Sequence, residues 1–256
     1  WNGAEGMPIA STFMILMGCC GHTVLNLPNT RMFFSVDEAS GEQLRPNLVS
    51  DAGFQVLEYL HRLIEYSPPN ILGMDWDERT EVFLHGQAAM AYSWTVRAAR
   101  FETDIGSAVK RRVAYLQHPQ GPGGTSNNPI GGFLLCIPSN LPEERVQLAF
   151  EAIEWMTSPE AMKAHVQNGF PLAPRFSVSA DPEAAATSPI VRVVDKLARR
   201  NLLNPLSRPH VPEFLILESV IGTEIHKAMR GEVSDAAALR SAQNQIDAAM
   251  RAGGYY

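Results

Sequence analysis

Apolar residues recur along most of this chain with the period of an amphipathic α-helix. Between residues 51 and 66 they return every three or four positions, as at Leu57, Leu60 and Ile64, and so share one helical face. Ser50 is suited to cap the first turn, and a pair of prolines after the segment ends it. Comparable patterns predict further helices over 12–17, 77–85, 96–103, 142–156, 189–200, 212–230 and 234–251, and one that starts near 159.

Short segments of strand-like composition lie between some of these helices. They are 88–93, 112–116 and 131–137, of which the last begins with two glycines and ends before Pro138. Strands that are joined through helices favour the α/β class over an all-helical one. These strands are too few for a complete doubly wound sheet, so we expect part of the sheet to be absent from this chain.

Composition and charge narrow the class of protein. The chain has 256 residues, of which 45% are hydrophobic and 19% charged, as in soluble globular proteins with a sizeable core. A net charge of -6 gives no basic surface for nucleic acid or an anionic membrane, so neither is an expected partner. No signal peptide is readable, and a start at Trp1 suggests a mature or truncated piece of a longer protein.

Motifs of enzymes and metalloproteins are mostly missing. There is no Gly-x-Ser-x-Gly nucleophile motif, and the glycine-rich segment 121–124 lacks the lysine of a phosphate-binding loop. The 7 histidines show no pairing four residues apart, so no metal site or cofactor is expected. The acidic residues between 75 and 81 leave open a carboxylate pair of the kind that glycosidases use, although a solvated helix start is the favoured explanation.

A succession of short motifs covers the chain from about residue 74 to its end. In order they are Met74–Arg79, Phe83-x-x-Gly86-x-Ala88-Ala89-Met90-x-x-Ser93-Trp94, Gly131-Gly132-Phe133, Trp155-x-x-Ser158-Pro159-Glu160, Gly169-x-x-x-x-Pro174-Arg175 and Gly254-Tyr255-Tyr256. Together they resemble the extracellular solute-binding proteins of ABC importers, in the sugar-binding family that includes maltose-binding protein. Residues 1–70 match this family only loosely.

The resemblance implies a periplasmic-binding-protein-like fold of class II, with two α/β lobes, helix-rich and lacking most of the N-terminal lobe. Residues 1–115 would form the first part of the second lobe. Residues 116–174 would form the crossover and a returning piece of the first lobe, and 175–256 the C-terminal helices of the second lobe. The returning piece then lacks its sheet partners, so we expect a second chain or a rearrangement to cover its apolar surface.

The same resemblance implies a transport function rather than an enzymatic one. Such proteins bind a small-molecule solute, here expected to be a carbohydrate, in the cleft between the lobes and deliver it to the membrane subunits of an ABC permease. The location implied is periplasmic or extracellular. A sugar has apolar C–H faces and a belt of hydroxyls, so its site needs flat aromatic rings and fixed polar groups.

Candidate site residues follow from the motifs and from these requirements. Trp94 is the first choice for a stacking ring, Gly132 permits close approach before a second ring, and Arg175 offers planar donors. Trp76 can instead pack the start of its helix, and Arg175 can be a solvent-exposed charge. The predicted ligand-binding residues are Trp94, Trp76, Phe133, Gly132, Arg175 and Glu218.

Two other classes remain open at this stage. A carbohydrate-active enzyme domain would need two carboxylates facing each other across a cleft. A helical interaction module would need an exposed apolar groove without converging polar groups. The surroundings of Trp94 distinguish these classes from a solute-binding protein.

Overall fold

Helices dominate the computed structural model, which describes residues 1–27, 38–122, 126–132, 134–170, 174–204 and 207–256. A 3₁₀ turn, Ile71–Gly73, follows the second helix. The α-helices of the described residues are α1 (Met7–Cys19), α2 (Asp51–Ile64), α3 (Trp76–Leu84), α4 (Thr95–Ala98), α5 (Arg100–Thr103), α6 (Glu143–Met156), α7 (Pro159–Gln167), α8 (Phe176–Ser179), α9 (Pro182–Thr187), α10 (Pro189–Arg199), α11 (Phe214–Met229) and α12 (Asp235–Ala252).

Several helix starts were predictable from the sequence because a serine hydroxyl caps them. Ser50 accepts a hydrogen bond from the Gly53 N–H at the start of α2, and Ser158 accepts one from Ala161 at the start of α7. These two starts are confirmed. The short helices α8 and α9 were not predicted, since neither is long enough to show a full apolar repeat.

The main core lies where α1, α2, α11 and α12 pack together. Helix α1 is almost entirely buried, and it lies against α11 so closely that a Cβ added at Gly222 would come within 2.3 Å of the Gly6 carbonyl oxygen. The largest side chains buried in this core are Phe13, Ile9, Met17, Leu25, Leu44, Leu48, Leu57, Leu60 and Leu217.

Two smaller apolar clusters join α7 to α10 and α3 to α5. Val166, Val178, Ala184 and Val191 pack where α7, α8, α9 and α10 meet. A further cluster of Leu84, Ala98, Phe101 and Ile190 ties the end of α3 to α4, α5 and α10. The cluster that contains Ala98 and Phe101 fixes the position of the segment around Trp94.

The predicted strands over 88–93, 112–116 and 131–137 are wrong for the residues that the structure describes, which exclude 133. A strand is stable only where a neighbouring strand completes its backbone hydrogen bonds, and composition does not reveal whether one is present. Sheet pairing in the described ranges joins β1 (Asn128–Pro129) to β2 (Leu203–Asn204) in parallel.

Helix α6 differs from the other long helices because none of its residues is buried. The extended segment before it is also exposed. The described helices include none with the length and apolar character to cross a bilayer. The large apolar side chains exposed on α6 and the preceding segment, here called the α6 surface, are Leu134, Leu135, Leu148, Phe150, Trp155 and Met156.

Candidate functional site

Trp94 lies at the surface, immediately before α4. Its carbonyl oxygen accepts hydrogen bonds from the Arg97 and Ala98 N–H groups, and the burial of Ala98 anchors this turn. The side chain remains 38% exposed. An indole in this position is fixed at its backbone and open to solvent at its ring, which is what a stacking residue requires.

Trp76 lies beside Trp94 because of the way in which α3 begins. Asp75 caps this helix in a capping box with Glu78, and hydrogen bonding to Glu78 is the main cause that lowers the pKa of the Asp75 carboxyl. Trp76 is therefore held in the first turn, with its ring centroid 5.4 Å from that of Trp94 and the ring planes inclined by 33°. An ion pair between Arg97 and Asp77 also joins the two helix starts.

Arg208 is the cation next to this aromatic pair. Its guanidinium carbon lies over the Trp94 ring, 5.6 Å from the centroid, within the range of a cation–π interaction. The Nη2 atom donates a hydrogen bond to the Ser11 hydroxyl at 3.1 Å. The sequence indicated neither Arg208 nor Ser11, and no motif or spacing in it points to their meeting Trp94.

Glu218 is the acidic group of the site. It is 4% exposed, and the Ser11 hydroxyl donates to its Oε1 at 3.4 Å, so Ser11 connects Glu218 to Arg208. Burial raises the pKa of the Glu218 carboxyl, while the charge of Arg208 and the hydrogen bond from Ser11 act in the opposite direction. The site therefore combines the exposed ring of Trp94 and the half-buried ring of Trp76 with a guanidinium donor and a carboxylate acceptor.

Replacement of Glu218 by glutamine should change how stability depends on pH. A carboxyl whose pKa is raised on folding favours the folded state below its ordinary value of 4.5, and this contribution is lost as pH rises through the raised pKa. Glutamine cannot ionise. We therefore expect the free energy of unfolding of E218Q, relative to the unmodified chain, to increase between about pH 4 and pH 7, as measured by urea denaturation.

A matched control lies on the same helix. Burial acts to raise the pKa of Glu224, but its hydrogen bonds, above all that from Lys227, lower it overall. The E224Q variant should therefore show the opposite trend, losing stability relative to the unmodified chain as pH rises. Parallel trends in the two variants would contradict the environment described for Glu218.

Unused hydrogen-bond donors occur on the first turns of α3. The buried Trp76 Nε1–H has no acceptor among the described residues. Arg79 is buried and donates from Nη1 to the Asn2 side-chain oxygen at 2.6 Å, but its Nε and Nη2 find no described acceptor. Burial lowers the pKa of Arg79 to about 10. Unpaired buried donors are costly, so this is the polar region of the site with the most unused capacity.

The predicted site residues fall into separate groups. Trp94, Trp76 and Glu218 come together through Arg208 and Ser11, as described above. Arg175 is exposed and donates from Nε to the Thr157 carbonyl oxygen, and no described contact connects it to Trp94. Gly132 is exposed, with no atom within 4 Å of an added Cβ, and Phe133 lies outside the described residues. The ligand-binding roles of all six residues stay predictions.

The groups that come together here are the Trp94 and Trp76 rings, the Arg208 guanidinium and the Glu218 carboxyl group. A family model described as bacterial extracellular solute-binding protein matches residues 13–192. The chain belongs to this family. Membership confirms the resemblance found in the sequence and the expected location outside the cytoplasm.

Solved structures confirm the periplasmic-binding-protein-like fold. An ABC transporter solute-binding protein from Agrobacterium radiobacter K84, in complex with ribitol, has a TM-score of 0.81 and 26% identity, over 96% of this chain and 58% of that one. Maltose-bound MalE3 of T. maritima has a TM-score of 0.80 and 21% identity, over 96% and 59%. A protein from Agrobacterium vitis S4 with bound D-mannitol has a TM-score of 0.76 and 17% identity, over 99% and 60%. The chain thus spans less than two thirds of the proteins that it matches.

Proposed function

We propose that this chain belongs to the solute-binding component of an ABC importer for sugars or polyols. The solute binds in the cleft between two lobes, and the closed form is delivered to the membrane permease. The observation that carries the proposal is the exposed ring of Trp94, flanked by Trp76 and by the pair of charges on Arg208 and Glu218.

The chemistry of these groups matches a polyhydroxylated solute. The apolar C–H face of a sugar packs on an indole ring, as Trp94 offers. Each hydroxyl both donates and accepts, and the guanidinium of Arg208 supplies donors while the carboxylate of Glu218 supplies acceptors. The ribitol, maltose and D-mannitol bound to the similar proteins belong to the same chemical class.

An enzymatic function is not part of this proposal. Glycoside hydrolysis uses two carboxyl groups on opposite sides of the scissile bond. Near the aromatic pair, Asp75 caps α3 and Asp77 is paired with Arg97, so both of these carboxylates already have structural partners. Among the described residues of the site, Glu218 has no facing carboxylate in a comparable position, and capture without bond cleavage fits better.

The division of the chain into lobes is also a proposal. We assign 1–115 and 175–256 to the second lobe and 116–174 to the crossover and the returning piece of the first lobe. The location of the main core in α1, α2, α11 and α12 supports the first assignment, and the α6 surface supports the second. Apolar side chains of this size are normally covered, and a second polypeptide on the α6 surface is the covering that we propose.

Saturation-transfer NMR with ribitol, maltose and D-mannitol at millimolar concentration tests the proposed function. In the proposed arrangement these groups belong to one side of the cleft only, so we expect weak binding, with a Kd on the order of 1 mM, or about -4 kcal/mol. Signals of the solute C–H protons should be attenuated in the presence of the chain. Absence of transfer to all three solutes would contradict the proposal, and the urea-unfolded chain serves as the control.

A further inference from the structure

Arg208 occupies the surface that a stacking solute would need. Its guanidinium lies over the face of the Trp94 ring, while Trp76 contacts the same ring at an inclined angle. A sugar can pack on the covered face only if the guanidinium leaves it. Arg208 is therefore a competitor of the solute for the ring as well as a neighbour of the site.

Most N–H donors of the Arg208 guanidinium make no described hydrogen bond. An arginine side chain carries five N–H donors, and among the residues that the structure describes Arg208 uses one, to the Ser11 hydroxyl. Ser11 donates in turn to Glu218, which is nine-tenths buried and has no other described hydrogen bond. The guanidinium thus keeps capacity for further hydrogen bonds next to the exposed Trp94 ring, and Ser11 links it to the Glu218 carboxyl group.

We propose that Arg208 is a specificity-determining residue that covers Trp94 until a polyhydroxylated solute replaces it. The C–H face of the solute takes the place of the guanidinium on the ring, and the solute hydroxyls accept hydrogen bonds from the displaced N–H groups. Glu218 accepts from the remaining hydroxyls. This inference rests on the proposed function and adds to it a means by which the site discriminates against molecules with few hydroxyls.

Selectivity for solutes with many hydroxyls follows because the Arg208 guanidinium exchanges its contact with the Trp94 ring for hydrogen bonds to the solute. With a solute that has many hydroxyls, new hydrogen bonds to the guanidinium offset the loss of its cation–π contact. They do so because a hydrogen bond to a charged group is stronger than that contact. A ring-shaped molecule with a single hydroxyl cannot do so. The unmodified chain should therefore favour maltose over cyclohexanol by more than their contacts with the indole alone would give.

The Arg208→Ala variant tests the inference because its effects on two probes differ in sign. With the guanidinium removed, maltose should bind about ten-fold more weakly, since charged hydrogen bonds are lost. Cyclohexanol should bind about three-fold more tightly, since the ring is already uncovered. The ratio of the two affinities, measured by saturation-transfer NMR titration, should fall by about thirty-fold, the product of these two factors.

Two further variants complete the experiment. Arg208→Lys keeps a cation for the ring but loses the planar fork of donors, so maltose should weaken while cyclohexanol stays unchanged. Arg100→Ala is the matched control. Arg100 pairs with Glu81 and Asp104, and its replacement by alanine also removes one positive charge from the same region. We expect the affinity ratio of this control to equal that of the unmodified chain.

The outcomes separate this inference from the proposed function. If the unmodified chain binds maltose and Arg208→Ala changes both probes in the same direction, or neither, the inference is overturned and the proposed function stands. If the unmodified chain binds none of ribitol, maltose and D-mannitol, the proposed function fails and the inference fails with it. A change in ratio for Arg100→Ala equal to that for Arg208→Ala would also overturn the inference.

Discussion

Replacement of Trp94 by alanine should weaken the binding of maltose by at least about ten-fold, which makes it the largest effect on affinity that we expect from one side chain. The indole supplies the exposed flat apolar surface of the site, and its backbone position is fixed by the first turn of α4. Saturation transfer to the maltose C–H protons measures the loss. Trp94→Phe keeps a smaller ring and should restore part of the affinity.

Trp155 provides the matched control for this variant. It is 71% exposed on the α6 surface and has no described contact with the aromatic pair. Trp155→Ala removes the same side chain from another part of the molecule and should leave maltose binding unchanged. An equal loss of affinity in both variants would mean that the solute does not bind at Trp94.

Replacement of Phe13 by alanine should lower the free energy of unfolding by about 3–5 kcal/mol, the largest effect on stability that we expect. The Phe13 side chain is fully buried in α1, at the centre of the core that α1 forms with α2, α11 and α12. Its removal loses the free energy of burial and leaves a cavity in closely packed surroundings. Urea denaturation followed by circular dichroism measures the change.

Phe150 allows the same substitution on the α6 surface. It is 55% exposed, so Phe150→Ala should change the free energy of unfolding by no more than about 0.5 kcal/mol. A cost for Phe150→Ala comparable to that for Phe13→Ala would show that the α6 surface is covered by the chain itself. A small cost for Phe13→Ala would contradict the placement of the core.

Helices were predictable from the sequence because the information that specifies them is local. An apolar stripe such as that of α2, a serine cap at Ser50 and a proline stop all lie within a few residues of one another. Strands depend on a partner that is distant in sequence. The segment 88–93 has suitable composition but no strand beside it in the described structure, so its prediction was wrong.

The candidate site was predictable only in part for a related reason. Trp94 and Trp76 belong to recognisable motifs, and the capping box that holds Trp76 is itself a local pattern. Arg208 reaches Trp94, and Ser11 reaches Arg208, from segments far apart in the chain, and neither residue carries a sequence signal of its own. Their role depends on how α1 packs against the rest of the protein.

Intermolecular nuclear Overhauser effects between bound maltose and the isotopically labelled chain test the central claim most directly. If the wall formed by Trp94, Trp76, Arg208 and Glu218 binds the solute, the C–H protons of maltose should show cross-peaks to the ring protons of Trp94. Cross-peaks confined to other residues, with the Trp94 resonances unaffected at saturating maltose, would contradict it.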